Sequence, residues 1–317
     1  MGRSSLARRA LITAVFALSL LPGGPALAEH KITPQEWADS LRHVTVNGAD
    51  LAYLDVGKGE PIVLIHGSSA DYRTWLGELD PLMRQYRVIA YSRRYHFPNT
   101  GGGNGRDYSI ALHERDLVAL IGALGLGKVN LVGHSSGASL AAQLAADHPE
   151  MVRSLVLAEP MFPVLMEGTK QESVFVSESR LVYERAKQAL QNDFPELGFN
   201  VIGEWVFGED ALAMIPRVVR QRLADNVPSL KLQILSPVKP TPFGCAQIQR
   251  IGCPVLYVEG GRSPWHAHTM ADEFVECRPA TQRVVLKNAS HGMVWDDPRG
   301  FSKAVIEFLG RSSLASE

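Results

Sequence analysis

The chain has 317 residues, 45% hydrophobic and 21% charged, and a formal net charge of −1. That is ordinary globular composition, with length enough to bury a large core. With no basic stripe and no acidic block, it offers nucleic acid no electrostatic footprint, and that class of partner is excluded.

Residues 1–28 read as an export signal rather than as part of the fold. Arg3, Arg8 and Arg9 form a positive start, and Ala10 to Leu21 is a short apolar stretch. Pro22-Gly23-Gly24-Pro25 breaks it, and Ala26-Leu27-Ala28 is an A-x-A cleavage site ahead of Glu29. The apolar stretch is too short for a comfortable membrane span, so no stable span is expected once the signal is removed. Arg8-Arg9 leaves a twin-arginine route open, but its surroundings favour ordinary Sec export. The mature protein is expected in the periplasm or outside the cell.

After residue 40, strand-like and helix-like segments alternate, which predicts an α/β fold with a mostly parallel sheet. His43–Val46 and Leu51–Val56 flank the hairpin signal Asn47-Gly48. Ile62–Ile65 is a continuous apolar strand, followed by a loop and a helix predicted over 75–85. Strand Arg87–Tyr91 comes next, then a helical face over 110–124, strand Val129–Val132, helix Ser136–Asp147 and strand Ser154–Ala158.

From Met161 to Gln247 no buried strand is visible. Val182, Ala186, Ala189 and Leu190 share one helical face, and Ala211–Leu223 is a further helix candidate. Alternation then resumes with strand Val255–Val258, helix His268–Glu276, strand Arg283–Leu286 and helix Gly300–Leu309. The expected organisation is a core over 29–160, a helical lid over 161–247 and the rest of the core over 248–317. A lid placed there would sit over the strand ends, where α/β sheets hold their ligands.

Three cysteines, Cys245, Cys253 and Cys277, have no metal-ligand spacing. An exported compartment permits disulfides, and an odd count leaves one thiol over or all three free. No metal site, phosphate loop or dinucleotide fingerprint is present, so no cofactor is expected.

The chemistry concentrates at Gly133-His134-Ser135-Ser136-Gly137, a G-x-S-x-G where a buried strand turns abruptly into a helix rich in small residues. Such a corner lifts a serine hydroxyl clear of the sheet, and the helix after it points free N–H groups at a nearby anion. Nucleophilic Ser135 then needs a base, an orienting acid and oxyanion donors. His291, in Asn288-Ala289-Ser290-His291-Gly292, lies just after the last predicted strand and suits the base. The backbone N–H groups of Ser136 and of Ser68, after the His66-Gly67 turn, suit the oxyanion.

Taken together, His66-Gly67, Gly133-His134-Ser135-Ser136-Gly137 and His291-Gly292, with a helical insertion after the sixth strand, resemble the α/β-hydrolase superfamily over nearly the whole mature chain. The resemblance implies an eight-stranded sheet, helices on both faces and a lid over the site. Two stretches depart from it. The Asp-x-Arg-Gly that relatives often carry after the fourth strand reads Tyr91-Ser92-Arg93-Arg94-Tyr95-His96 here. Many relatives also place the acid in a Gly-x-x-Asp turn after the seventh strand, which here is Gly260-Gly261-Arg262-Ser263.

Two carboxylates are placed to substitute. Glu159 ends the sixth strand at the correct sheet edge and precedes Pro160, and some related hydrolases are similar in taking their acid there. Glu259 ends the seventh strand, where strand alternation can turn it away. Glu159 is favoured.

A serine with a two-donor oxyanion hole suits acyl transfer to water, which makes hydrolysis of a carboxylic ester or related acyl bond on a small-molecule acyl substrate the leading reading. Carbon–carbon bond, amide or lactone hydrolysis uses the same parts, and a fold-keeping ligand-binding protein is the non-catalytic alternative. Met161, Phe162, Trp205 and Trp265, with Leu165, Met166 and Phe207, are candidates to line an apolar pocket. Arg93, Arg94 and Arg262 read as surface charge, or as a carboxylate site. Oligomeric state is not legible.

Overall fold

The computed structural model describes residues 33–99 and 103–314; the export segment read over 1–28 lies outside the described residues. Asn47 and Gly48, with φ of 48° and 74°, turn strand β1 (Arg42–Val46) back onto β2 (Ala49–Gly57) as an antiparallel hairpin. The remaining strands are β3 (Pro61–Ile65), β4 (Arg87–Tyr91), β5 (Val129–His134), β6 (Val152–Ala158), β7 (Val255–Gly260) and β8 (Gln282–Leu286). They form one eight-stranded sheet in the order β1-β2-β4-β3-β5-β6-β7-β8. Only the β1–β2 and β2–β4 pairs are antiparallel.

Every residue of β5 is buried, as a central parallel strand covered on both faces requires. Period-two alternation sends Val63, Ile65, Leu131 and Leu155 to one face, where they meet helices Ile110–Ala123, Ser136–Asp147 and Trp265–Cys277. Ile62, Leu64, Val132 and Val156 face the other way, onto Phe301, Val305 and Phe308 of helix Pro298–Leu314. The corner after β5 therefore stands on a strand fixed from four sides.

Between β6 and β7 the chain forms helices Glu172–Gln191, Pro195–Phe207, Glu209–Met214, Arg217–Ala224 and Val227–Leu235. Their shared apolar interior includes Leu190, Phe199, Phe207, Leu212, Leu223 and Leu230. Ala186, Ala189 and Leu190 are buried and Val182 is half-buried, so the apolar face read there turns inward.

Two predicted helices are divided. Ala211–Leu223 is split because Pro216 has no N–H to donate and its ring excludes the preceding turn. The segment 75–85 is a 3₁₀ turn, Tyr72–Trp75, capped by Asp71 accepting from Arg73 N–H, followed by a short helix, Leu79–Met83. Helices Pro34–Asp39 and Met293–Asp296 had no strong periodicity in the sequence. Cys245 and Cys277 are disulfide-bonded and Cys253 is a buried free thiol. No described helix is long and apolar enough to cross a membrane.

Candidate active site

Ser135 has φ 55° and ψ −126°, a backbone that side-chain-bearing residues adopt only under constraint. The constraint is visible in its neighbours. A Cβ on Gly133 would lie 2.5 Å from the Ala138 Cα, and one on Gly137 would collide with the Ile65 and His66 carbonyl oxygens. Both glycines are thus steric necessities of the corner. Ser135 N–H donates to the Ala158 carbonyl at 2.8 Å, which ties the corner to the end of β6. Ser136 opens the following helix, so no carbonyl of that helix accepts from its N–H.

His291 is buried, 3% exposed. Its Nδ1 lies 2.6 Å from Glu159 Oε2. A carboxylate only accepts, so Nδ1 carries the proton, and in the neutral ring Nε2 keeps the free lone pair. Glu159 has φ 43°, and its other oxygen, Oε1, accepts from Gly260 N–H and from Ser263 Oγ, both at 2.7 Å. Burial acts to raise the Glu159 carboxyl. The bonds from His291, Gly260 and Ser263 outweigh it and leave the group below its ordinary value. Ser263, in the turn that lacks an aspartate, therefore holds the carboxylate that occupies the site.

Glu259 faces elsewhere. It takes two bonds from Arg283, at 3.1 and 2.9 Å, and His268 lies 3.5 Å from its Oε2.

The loop bearing His291 is pinned on three sides. Asp296 Oδ2 accepts from the Ser290 N–H and hydroxyl at 2.8 and 2.6 Å, and Arg262 N–H donates to the Ala289 carbonyl at 2.9 Å. His134 Nε2 lies 2.8 Å from the His291 carbonyl and must donate to it. Burial first, then the nearby His291, lower the His134 pKa to about 3, which keeps that ring neutral.

Arg93 and Arg94 are buried, 1% and 4% exposed, which corrects their reading as surface charge. Arg94 grips Asp116 through two bonds of 2.7 Å. Arg93 Nη2 donates to the Gly67 carbonyl at 2.8 Å and to Ser136 Oγ at 3.2 Å. His66 Nδ1 also donates to that carbonyl, at 2.9 Å, while its Nε2 accepts from Arg93 N–H. In a trans peptide the C=O and the next N–H point in opposite directions. Holding the Gly67 oxygen on Arg93 therefore turns the Ser68 N–H the other way. The Gly67 backbone is close to the corner: a Cβ there would lie 3.0 Å from the Ser135 Cβ. Arg262, by contrast, is half-exposed and 3.8 Å from Asp296.

Gly67, Ser68, Ser135, Ser136 and His291 all line one cavity of about 720 Å³. Met161, Met166, Trp205 and Phe207 line it too. Phe162 and Trp265 do not: Phe162 is stacked between Phe243 and Phe274 in the core, and Trp265 packs edge-on to His266. Leu165 is likewise core. Sequence reasoning missed Phe199, Ile202, Leu230 and Trp295 as lining residues, because they come from separate elements of the insertion and of the segment after β8. Phe207 lies edge-on to the His291 ring, with centroids 5.3 Å apart. Among the described residues no three His, Cys, Asp or Glu side chains are grouped so as to hold a metal ion.

A model described as the alpha/beta hydrolase family matches residues 62–304. Among curated proteins, the putative carbamate hydrolase RutD of Escherichia coli O157:H7 is similar at 26% identity over 260 residues, covering 78% of this chain and 90% of its own. Among solved structures, a bromoperoxidase from Bacillus anthracis has a TM-score of 0.71 at 22% identity, covering 86% of this chain and 100% of that one. The esterase RhEst1 from Rhodococcus sp. ECU1013 has a TM-score of 0.69 at 20% identity, covering 86% and 98%. At these identities the structural likeness is one of fold.

Proposed function

The chain belongs to the alpha/beta hydrolase family, and from that premise we propose that it is a serine hydrolase cleaving a carboxylic ester or related acyl bond through an acyl-enzyme. The observation that carries the reading is the 2.6 Å contact of Glu159 Oε2 with His291 Nδ1, on a histidine that shares a cavity with Ser135.

In this reading Ser135 Oγ attacks the substrate carbonyl while His291 Nε2 takes its proton. The N–H groups of Ser136 and Ser68 stabilise the oxyanion, and ionised Glu159 stabilises the imidazolium. The carbonyl–oxygen bond to the alcohol breaks, and His291 returns the proton to the departing alcohol. Water, deprotonated by the same imidazole, then splits the Ser135 ester and releases the acid. A carboxylate seated on the imidazole favours turnover over the ligand-binding alternative.

Export remains part of the proposal. It rests on residues 1–28 and is supported by the Cys245–Cys277 disulfide, which suits an oxidising compartment.

Hydrolysis of p-nitrophenyl esters by the purified chain and by a Ser135→Ala variant tests the reading. Turnover that disappears in a folded Ser135→Ala protein is the expected result; turnover that persists would overturn it.

A further inference from the structure

The sheet order places β5, and Ser135 at its end, between β3 and β6. The loops leaving those two strands feed different apolar walls. On the β3 side, Ala70 joins Phe199, Phe207, Leu223 and Leu230 of the insertion in one cluster. On the β6 side, Met161 and Met166 pack with Phe175 and Trp205 in a separate one. All nine side chains line the cavity that holds Ser135 and His291.

Charge is sparse in the lining. The acidic and basic side chains of the lining, His134 and His291 aside, are Glu167, Glu172 and Arg180. Glu167 and Arg180 are exposed, and Glu172 accepts from Gly168 N–H at 2.8 Å. The buried cation nearest the corner in contact terms, Arg93, is outside the lining and engaged with Gly67 and Ser136. A substrate carboxylate thus meets no buried positive partner, and burying it unpaired is costly. A cavity of about 720 Å³ holds a ligand well beyond a short acyl group.

We propose that the substrate is an ester apolar on both sides of its scissile bond, one wall receiving the acyl chain and the other the leaving alcohol. The inference rests on the serine-hydrolase reading and narrows it, away from small polar carbamates and carboxylate-bearing substrates.

Two ester series test it with the wild-type protein. In the first, the acyl chain of p-nitrophenyl esters grows from acetate to hexanoate; in the second, the alcohol of a fixed hexanoate grows from methyl to pentyl. Each buried methylene is worth about fourfold, so kcat/KM is expected to rise on the order of 100-fold across each series. Ile202→Asn, on the Phe199 wall, should flatten one series, and Met161→Asn, on the Phe175 wall, the other. A response confined to one series, both variants flattening the same series, or faster turnover of a monomethyl dicarboxylate of equal length would overturn the inference. Fluorophosphonate labelling of wild-type Ser135 keeps the two failures apart. Labelling with flat ester series removes only the substrate class, whereas absence of labelling removes the hydrolase reading beneath it.

Discussion

A neutral imidazole offers one lone pair, and at His291 the contact with Glu159 decides which nitrogen carries it. Glu159→Gln keeps the shape but removes the charge, and the amide can present its NH₂ to Nδ1 and favour the wrong tautomer. Its kcat is expected to fall about 10³- to 10⁴-fold, while Glu259→Gln, whose carboxylate serves Arg283, should change kcat little. Steady-state kinetics of the two variants decide between the carboxylates. Arg93→Gln should leave the Gly67 carbonyl held by His66 alone and so loosen the aim of the Ser68 N–H. A fall in kcat of about 10- to 100-fold with KM nearly constant is expected if the Ser68 N–H serves the oxyanion as proposed; a change in KM alone would contradict that role. The contact of His291 with Glu159 and the cavity that His291 shares with Ser135 were legible as placements, because each residue follows a strand and strand ends share one edge of the sheet. The buried setting of Arg93 and Arg94 was not, because an Arg-Arg pair reads as solvated charge until Gly67 and Asp116 arrive from distant parts of the chain.

Among the elements, strands were legible to within two residues at each end, since buried parallel strands are short apolar runs between turn signals. Helices fared less evenly. Pro216 marks its own break, but the division near Gly77 depends on tertiary packing, where a Cβ would lie 3.1 Å from Pro298. Pocket lining was legible only in part: aromatic and methionine residues on the insertion look alike whether they line the cavity that holds Ser135, as Trp205 does, or pack in the core, as Phe162 does. The Cys245–Cys277 bond joins the far end of the insertion to helix Trp265–Cys277 across 32 residues. A loop of that length is worth about 3–4 kcal/mol through the unfolded state. The Cys245→Ser/Cys277→Ser variant should lose about that much in urea unfolding, and an unchanged midpoint would contradict it. Burial pushes the Cys253 thiol up to about 11, so exchange with the bonded pair is disfavoured.

For the whole molecule, buried histidines govern the response to acid. Burial holds His66, His96 and His113 well below the ordinary imidazole value, with Arg93 adding to it. Burial and His291 bring His134 to about 3 and His266 to about 4. Below about pH 6.5 the unfolded chain binds protons at these sites that the folded one refuses, so stability present at neutral pH is lost as pH falls. Glu78 and Glu114, raised chiefly by burial, bind protons in the folded state and offset part of the loss. A net loss of stability between pH 7 and pH 5.5 is expected from urea unfolding; equal or greater stability at pH 5.5 would contradict it. Whether the fold delivers an activated hydroxyl at Ser135 is decided by fluorophosphonate treatment followed by peptide mass mapping. One adduct on the peptide carrying Ser135, strongly reduced in His291→Ala, is the predicted result. An unmodified Ser135 in folded wild-type protein, or equal labelling without His291, would contradict the account.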